Sequence, residues 1–202
     1  AILAGSISAI RQESPIDYVA RLLSIIALST PTFWTGTMVG VFMAIWFGYI
    51  PPLNYSSPFQ NLAKNLEQMM FPSLIMGTFL AGSLSRMVRS SLLEVLRQDY
   101  IRTAWAKGLK ERVVIMRHAM KNAMIPVVTI MGVQFATLLG GTVVIETIFA
   151  LPGMGSLTVN SIQRRDYPQL QGNVLFFSVF LLLINLGVDV LYAWLDPRIK
   201  YQ

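Results

Sequence analysis

The chain has 202 residues, of which 54% are hydrophobic and only 13% charged, with a mean hydropathy of +0.56. Soluble domains use roughly 45–50% apolar residues, so a bilayer is the expected solvent and an all-α integral membrane protein the expected fold class. A formal charge of +6 invites a nucleic-acid reading that the placement of the charges argues against, and the lack of cysteine excludes disulfides and thiolate metal sites.

A membrane-spanning helix needs about 20 mostly apolar residues. Residues 1–10 are apolar but too few to cross, and are expected to be part of a helix that begins upstream. A signal peptide is the rival reading, weakened because the basic residue follows the apolar run. The polar stretch 11–21, with Pro15 near its start, makes a short turn. Residues 22–49 are uncharged and form a complete span, kinked where Pro31, after Thr30, removes a backbone hydrogen bond. Trp34, Trp46 and Tyr49 flank it and Pro51-Pro52 ends it near the outer interface. After an outer segment, residues 68–85 return inward, with Gly77, Gly82 and Ser83 permitting close approach of a neighbouring helix.

Residues 86–121 carry nine Lys or Arg and three acids, yet stay periodic. Leu109, Val113, Met116 and Met120 recur at steps of four, three and four, the spacing of one helical stripe. Asp99 can cap a short helix from Tyr100 to Lys107, and Gly108 can end it in the left-handed conformation. The expectation is an exposed knob whose apolar members, including Ile101 and Trp105, serve a protein partner. A basic, lipid-facing segment attracting anionic headgroups is the plainer alternative.

The span 122–145 follows, with Pro126 tolerated in its first turn. Gln134, Thr137 and Gly141 share one face and are candidates for lining a pathway; interhelical packing would use the same residue types. Glu146 lies at the outer end, facing either solvent or a partner. Leu151-Pro152-Gly153-Met154-Gly155 is a turn-rich loop. Tyr167-Pro168 open the last span, 167–188, and Asp196-Pro197-Arg198 are expected to close its helix. Asp189 is expected to pair with a neighbouring cation.

The count is thus four complete spans and part of a fifth. Alternating their ends places thirteen of the sixteen Lys and Arg on one face and only Lys64, Arg164 and Arg165 on the other. By the positive-inside rule the first face, with the C-terminus, is cytoplasmic.

The chemistry for an enzyme is missing from the sequence. There is no phosphate-loop pattern, so no ATP site of the chain's own. His118 is the only histidine, which removes paired-histidine zinc sites and proton relays. No catalytic or metal-ligating residues and no resident cofactor are expected. An ion-gradient-driven secondary transporter or channel is the runner-up; such a protein should show paired buried acids or broken helices, and only Pro31 hints at either.

The segment DYIRTAWAKGLKERVVIMRHAMKNAMIPVV, residues 99–128, resembles the cytoplasmic signature loop of binding-protein-dependent ABC importer permeases. VIETIFALPGMGSL (144–157), RDYP (165–168) and LINLGVDVLYAWLDPRIKY (183–201) are similar to the first permease subunit of the dipeptide, oligopeptide and nickel branch. The resemblance covers essentially the whole chain. It implies a type I ABC importer transmembrane domain in a bacterial inner membrane. A cytoplasmic ATPase would dock on Asp99, Tyr100, Ile101, Arg102, Thr103, Ala104, Trp105, Ala106, Lys107 and Gly108. Trp105 stands where that branch often has arginine. ATP and Mg would belong to the ATPase subunits; a second permease and an extracytoplasmic solute-binding protein would be the other partners. Members usually begin with one more helix and an outer domain, so the resemblance implies an N-terminally truncated chain.

Overall fold

The computed structural model describes residues 1–50, 52 and 54–195. Pro51, Leu53 and residues 196–202 lie outside the described set, and with them the Asp196-Pro197-Arg198 stop and half of the Pro51-Pro52 pair. The side chains of residues 136, 139–141 and 192–194 are likewise not described, nor is that of Leu195.

Every regular element among the described residues is helical. In chain order these are α1 (Ile2–Ile10), α2 (Pro15–Ser29), α3 (Thr32–Phe47), α4 (Leu62–Leu96), α5 (Asp99–Ala106) and α6 (Glu111–Val113). A π-helical segment (Val114–Ala119) follows, then α7 (Met120–Gly141), α8 (Val143–Ile148), α9 (Met154–Arg164) and α10 (Tyr167–Leu195). Two helical stretches, Glu111–Phe135 and Tyr167–Leu191, are long and apolar enough to cross a membrane, and α2 with α3 would be a third if they form one broken span. The kink expected at Pro31 is a full break, with Pro31 extended at φ −60° and ψ 135° in front of α3. Its ring excludes the amide that would have continued the ladder, and the residue before a proline disfavours the helical region.

The helix expected over 68–85 is much longer. α4 has 35 residues with Pro72 inside it, about 50 Å at 1.5 Å per residue, against a hydrocarbon core of about 30 Å. Its last turns, up to Leu96, are therefore helix where the sequence suggested the beginning of a loop.

The chain divides into two compact units. The first comprises Ala1–Leu28, Leu80–Phe135 and the chain from Leu183. Its core joins Ala9 of α1, Leu92 of α4, Ile101 and Ala104 of α5, Val114 and Ala119 of the π segment and Ala123 of α7, flanked by Leu93, Val95, Leu96 and Met120. α1 turns its small residues inward: Gly5, Ser6, Ser8 and Ala9 are buried while Ile2, Leu3, Ile7 and Ile10 are exposed. Small side chains allow backbones to approach where lipid supplies no hydrophobic driving force. A Cβ on Gly5 would strike the Ser85 carbonyl and the Val88 side chain of α4.

The buried stripe leading into α7 differs from the expected one. Val113 and Met116 are exposed, at 37% and 61%, and the inward residues are Val114, Ile115, Ala119, Ala123 and Val127. The π segment takes up an extra residue per turn, so Val114 and Ala119, five apart, both reach the core. Of the expected stripe, Leu109 and Val113 precede the π segment and are exposed, as is Met116, while Met120, just after it, packs against the core.

The second unit comprises Ser29–Phe79 and Ala136–Leu182. Its core is Ile75 of α4 with Ile145 and Phe149 around α8, lined by Val39, Phe71, Met76, Ile148 and Leu151. Gly36 of α3 lies under Ile145, Ile148 and Phe149. The loop after α3 is held by two side-chain amides of α4. Gln68 Nε2 donates to the Pro52 and Asn54 carbonyls at 2.9 and 2.7 Å, and its Oε1 accepts from Ser56 N–H at 3.0 Å; Asn65 Nδ2 donates to the Ser56 carbonyl at 2.8 Å. RDYP is a stop and a start: Arg165 ends α9 at φ 57°, and Asp166 Oδ1 accepts the Gln169 N–H at 3.1 Å as α10 begins.

Leu92 is fully buried. Replacing it with alanine should destabilise the protein by about 2–5 kcal/mol through lost packing and a residual cavity, whereas Leu66→Ala, on an exposed side chain, should cost little; denaturant unfolding in detergent measures both.

Candidate functional site: a capped helix on a buried floor

α5 is eight residues long and begins one residue earlier than expected. Gln98, extended at φ −73° and ψ 149°, occupies the cap position, and Asp99 is the first helical residue. Asp99 therefore acts on the helix through its charge, which is favourable among the unpaired amides of the first turn. Its contact with Arg102 at 3.5 Å joins two largely exposed side chains and contributes little.

The C-terminal end behaves as the sequence suggested. Gly108 is left-handed at φ +73°, with nothing near the position a Cβ would take. Its N–H donates to the Trp105 carbonyl at 2.9 Å and the Leu109 N–H to the Ala104 carbonyl at 3.4 Å. These paired bonds form a Schellman motif, which satisfies the last carbonyls and turns the chain sharply.

The ten candidate docking residues divide into two groups. Ile101 and Ala104 are buried, at 0% and 7% exposure, within the core of the first unit, so the expectation that Ile101 is presented to a partner is corrected. Asp99, Tyr100, Arg102, Thr103, Trp105, Ala106, Lys107 and Gly108 are exposed. Two inward residues three apart fix one face of a two-turn helix, and the remainder must then point outward. Tyr100 is also tethered, its hydroxyl accepting from Asn122 Nδ2 of α7 at 2.7 Å.

The floor beneath α5 is tied by an ion pair that sequence reasoning missed. Asp17 of α2 is fully buried and meets Arg89 of α4 as a fork, Nε to Oδ1 at 2.7 Å and Nη2 to Oδ2 at 2.8 Å. Its Oδ1 also accepts from the Ser8 hydroxyl of α1, and its Oδ2 from the Glu13 N–H at 3.1 Å. Glu13 sits at φ 62°, a conformation unfavourable for a residue with a Cβ, in the turn this carboxylate secures. The only local signal was Ser14-Pro15-Ile16-Asp17, a helix-start pattern, and the Asp17 N–H does approach Ser14 Oγ at 3.3 Å. The partner, 72 residues away, left no such trace.

The other candidates are dispersed. Gln134 is half-buried and Thr137 exposed along α7, whose last residue is Gly141. Glu146 is a strut: it accepts from Thr142 Oγ1 at 2.9 Å and from the Ser156 N–H at 2.7 Å. A Cβ on Gly153 would overlap its carboxylate, which explains a glycine in that turn. Asp189 is exposed on α10 and belongs to neither ion pair found among the described residues, so the cation pairing expected for it is not seen there. Among the described residues no cluster of His, Asp and Glu could hold a metal.

A helical chain with helices long and apolar enough to cross a membrane has the form of an integral membrane protein. Residues 1–201 match the family described as the binding-protein-dependent transport system inner membrane component, and the chain belongs to that family. It is 39% identical to the dipeptide transport system permease protein of Alkalihalophilus pseudofirmus, over 98% of this chain and 66% of that protein. It is 40% identical to the glutathione transport system permease proteins of Pectobacterium atrosepticum and Escherichia coli K12, in each case over 98% of this chain and 62% of the relative. The chain thus spans slightly less than two thirds of the length of these relatives.

The Arg89 guanidinium, followed by the Ser8 and Glu13 hydrogen bonds, outweighs burial and holds the Asp17 carboxyl well below the usual carboxylate range. A depressed pKa gives stability that is complete above the unfolded value of about 3.9 and is lost as pH falls toward the folded value. In detergent, the stability gap between wild type and Asp17→Asn should be constant from neutral pH to about pH 5 and should narrow below about pH 4; a gap independent of pH across that acid range would contradict this.

Proposed function

We propose that this chain forms half of the translocation pathway of an ATP-driven importer for peptides or similar small solutes. A second permease of the same family would supply the other half. An extracytoplasmic solute-binding protein would deliver the solute, and cytoplasmic ABC ATPases, holding ATP and Mg, would power the cycle. The single observation that carries this reading is α5, a short helix seated by Ile101 and Ala104 and stopped by a left-handed Gly108, in a chain that matches the family over residues 1–201.

On this reading the eight exposed residues, Asp99, Tyr100, Arg102, Thr103, Trp105, Ala106, Lys107 and Gly108, form the ATPase contact, and Ile101 and Ala104 position it. Such a helix transmits force because its inner face is packed against α1, α4 and α7 rather than hung from a loop. Gln134, Thr137 and Gly141, three and four apart, would face the solute path. The spans would be 22–49 as a broken helix, 68–85 within α4, 122–145 within α7 and α8, and 167–188 within α10, with residues 1–10 as part of another and 86–121 and the C-terminus on the cytoplasmic side. The chain would hydrolyse nothing itself. The relatives' dipeptide and glutathione names favour short peptides as the solute class. The break at Pro31 would also suit an ion-coupled carrier, but family membership favours the ATP-driven reading.

The test is coupling in the reconstituted transporter. Ala106→Trp adds bulk to the exposed face, and Gly108→Val forces a branched residue into positive φ. Both should leave the amount of permease in the membrane unchanged and lower solute imported per ATP by roughly tenfold, the scale of coupling free energies of 1–3 kcal/mol. Unchanged stoichiometry in both variants would refute the docking assignment.

A further inference from the structure

α2 is attached to its unit in an unusual way. Its buried residues are Asp17 and Ser24 only. Ile16, Tyr18, Val19, Leu22, Leu23, Ile25 and Ile26 are all exposed, so no large apolar side chain of α2 enters the core. α2 meets α4 where Gly82 lies against the Ser24 carbonyl, Ala27 and the half-buried Leu28, and again at the Asp17–Arg89 fork.

That fork lies beside the seat of α5. Ser8, bonded to Asp17, is followed by Ala9, a member of the core that receives Ile101 and Ala104. Arg89 is three residues from Leu92, another member of that core, and so on the same face of α4. The carboxylate of Asp17 is saturated: each oxygen accepts two hydrogen bonds, from α1, from the turn and twice from α4. Four directional bonds to one group fix orientation as well as distance, and a planar guanidinium fork resists rotation in a way that a single ammonium does not.

We propose that Asp17 and Arg89 are positioning residues for coupling: their ion pair locks α1, α2 and α4 into one block beneath α5, so that a displacement of α5 is delivered to α2 as a rigid movement. The inference rests on the assignment of α5 as the ATPase contact. Without the fork, α2 would keep its contact around Gly82, made by Ser24, Ala27 and Leu28, and would lag behind α5.

The 202-residue sequence holds no cysteine, so spin labels can be placed at Leu22→Cys on α2 and at Gln98→Cys, the N-cap of α5 and outside the docking set, both exposed. The full-length permease, assembled with its partner permease, ATPases and binding protein in nanodiscs, should show one narrow distance distribution, the same without nucleotide and with ATP. In Asp17→Asn the distribution should broaden or become nucleotide-dependent, and solute imported per ATP should fall by roughly tenfold in complex that still contains the ATPase. A narrow, unchanged distribution in Asp17→Asn overturns the proposal, as does a loss of import accounted for wholly by loss of assembled complex. If Asp17→Asn does not assemble, Arg89→Lys keeps the charge and surrenders the fork; an unchanged distance and stoichiometry there overturn it equally. Photocrosslinking from position 107 to the ATPase separates the two readings. Absent crosslinks with a narrow wild-type distance would remove the docking assignment, while the rigid block would stand.

Discussion

The buried meeting of Asp17 with Arg89 is the constraint on which the first unit turns, because it answers a problem specific to this solvent. In water, α2 would be held by burying its Ile and Leu side chains; in lipid those side chains gain nothing by leaving the tails. The helix accordingly turns its apolar residues outward and its acid inward. A buried charge is tolerable only when paired and hydrogen-bonded, and here both carboxylate oxygens are fully used. The same logic shapes α1, whose inner face is Gly5, Ser6, Ser8 and Ala9.

Around that pair the unit changes character toward α5. Ile101, Leu92 and Val114 are completely buried, which is the packing of a soluble core, and the charged residues of α5 face outward as on a soluble helix. Rigidity there comes from backbone chemistry as much as from burial. The Schellman bonds at Gly108 close the helix, and the Tyr100–Asn122 hydrogen bond ties its first turn to α7. A two-turn helix has little stability of its own; this one is defined by what it is fastened to.

The sequence was informative wherever the controlling interaction is local. Gly108 announces its left-handed turn, Pro31 its interruption, and the uncharged run from Tyr167 lies within α10. It misled where a long-range contact changes the meaning of a residue. Residues 86–96 read as the start of a loop, but α4 continues to Leu96, its last turns carrying Leu92 into the core of the first unit. Ile101 looked available to a partner because nothing near it in sequence reveals Leu92 above it. Across the π segment the core positions Val114 and Ala119 stand five apart, a spacing that counting at a uniform 3.6-residue turn does not anticipate. The short helix α5 was legible as a unit; which of its residues face inward was not.

The distance in sequence between Asp17 and Arg89 also bears on how the protein is made. The acid leaves the ribosome 72 residues ahead of its partner, an interval of about 4 to 14 s at 5–20 residues per second. Over that interval Asp17 lacks the Arg89 fork, and a carboxylate without its partner is costly to bury. The fork that joins α1, α2 and α4 is therefore completed only once α4 has been made.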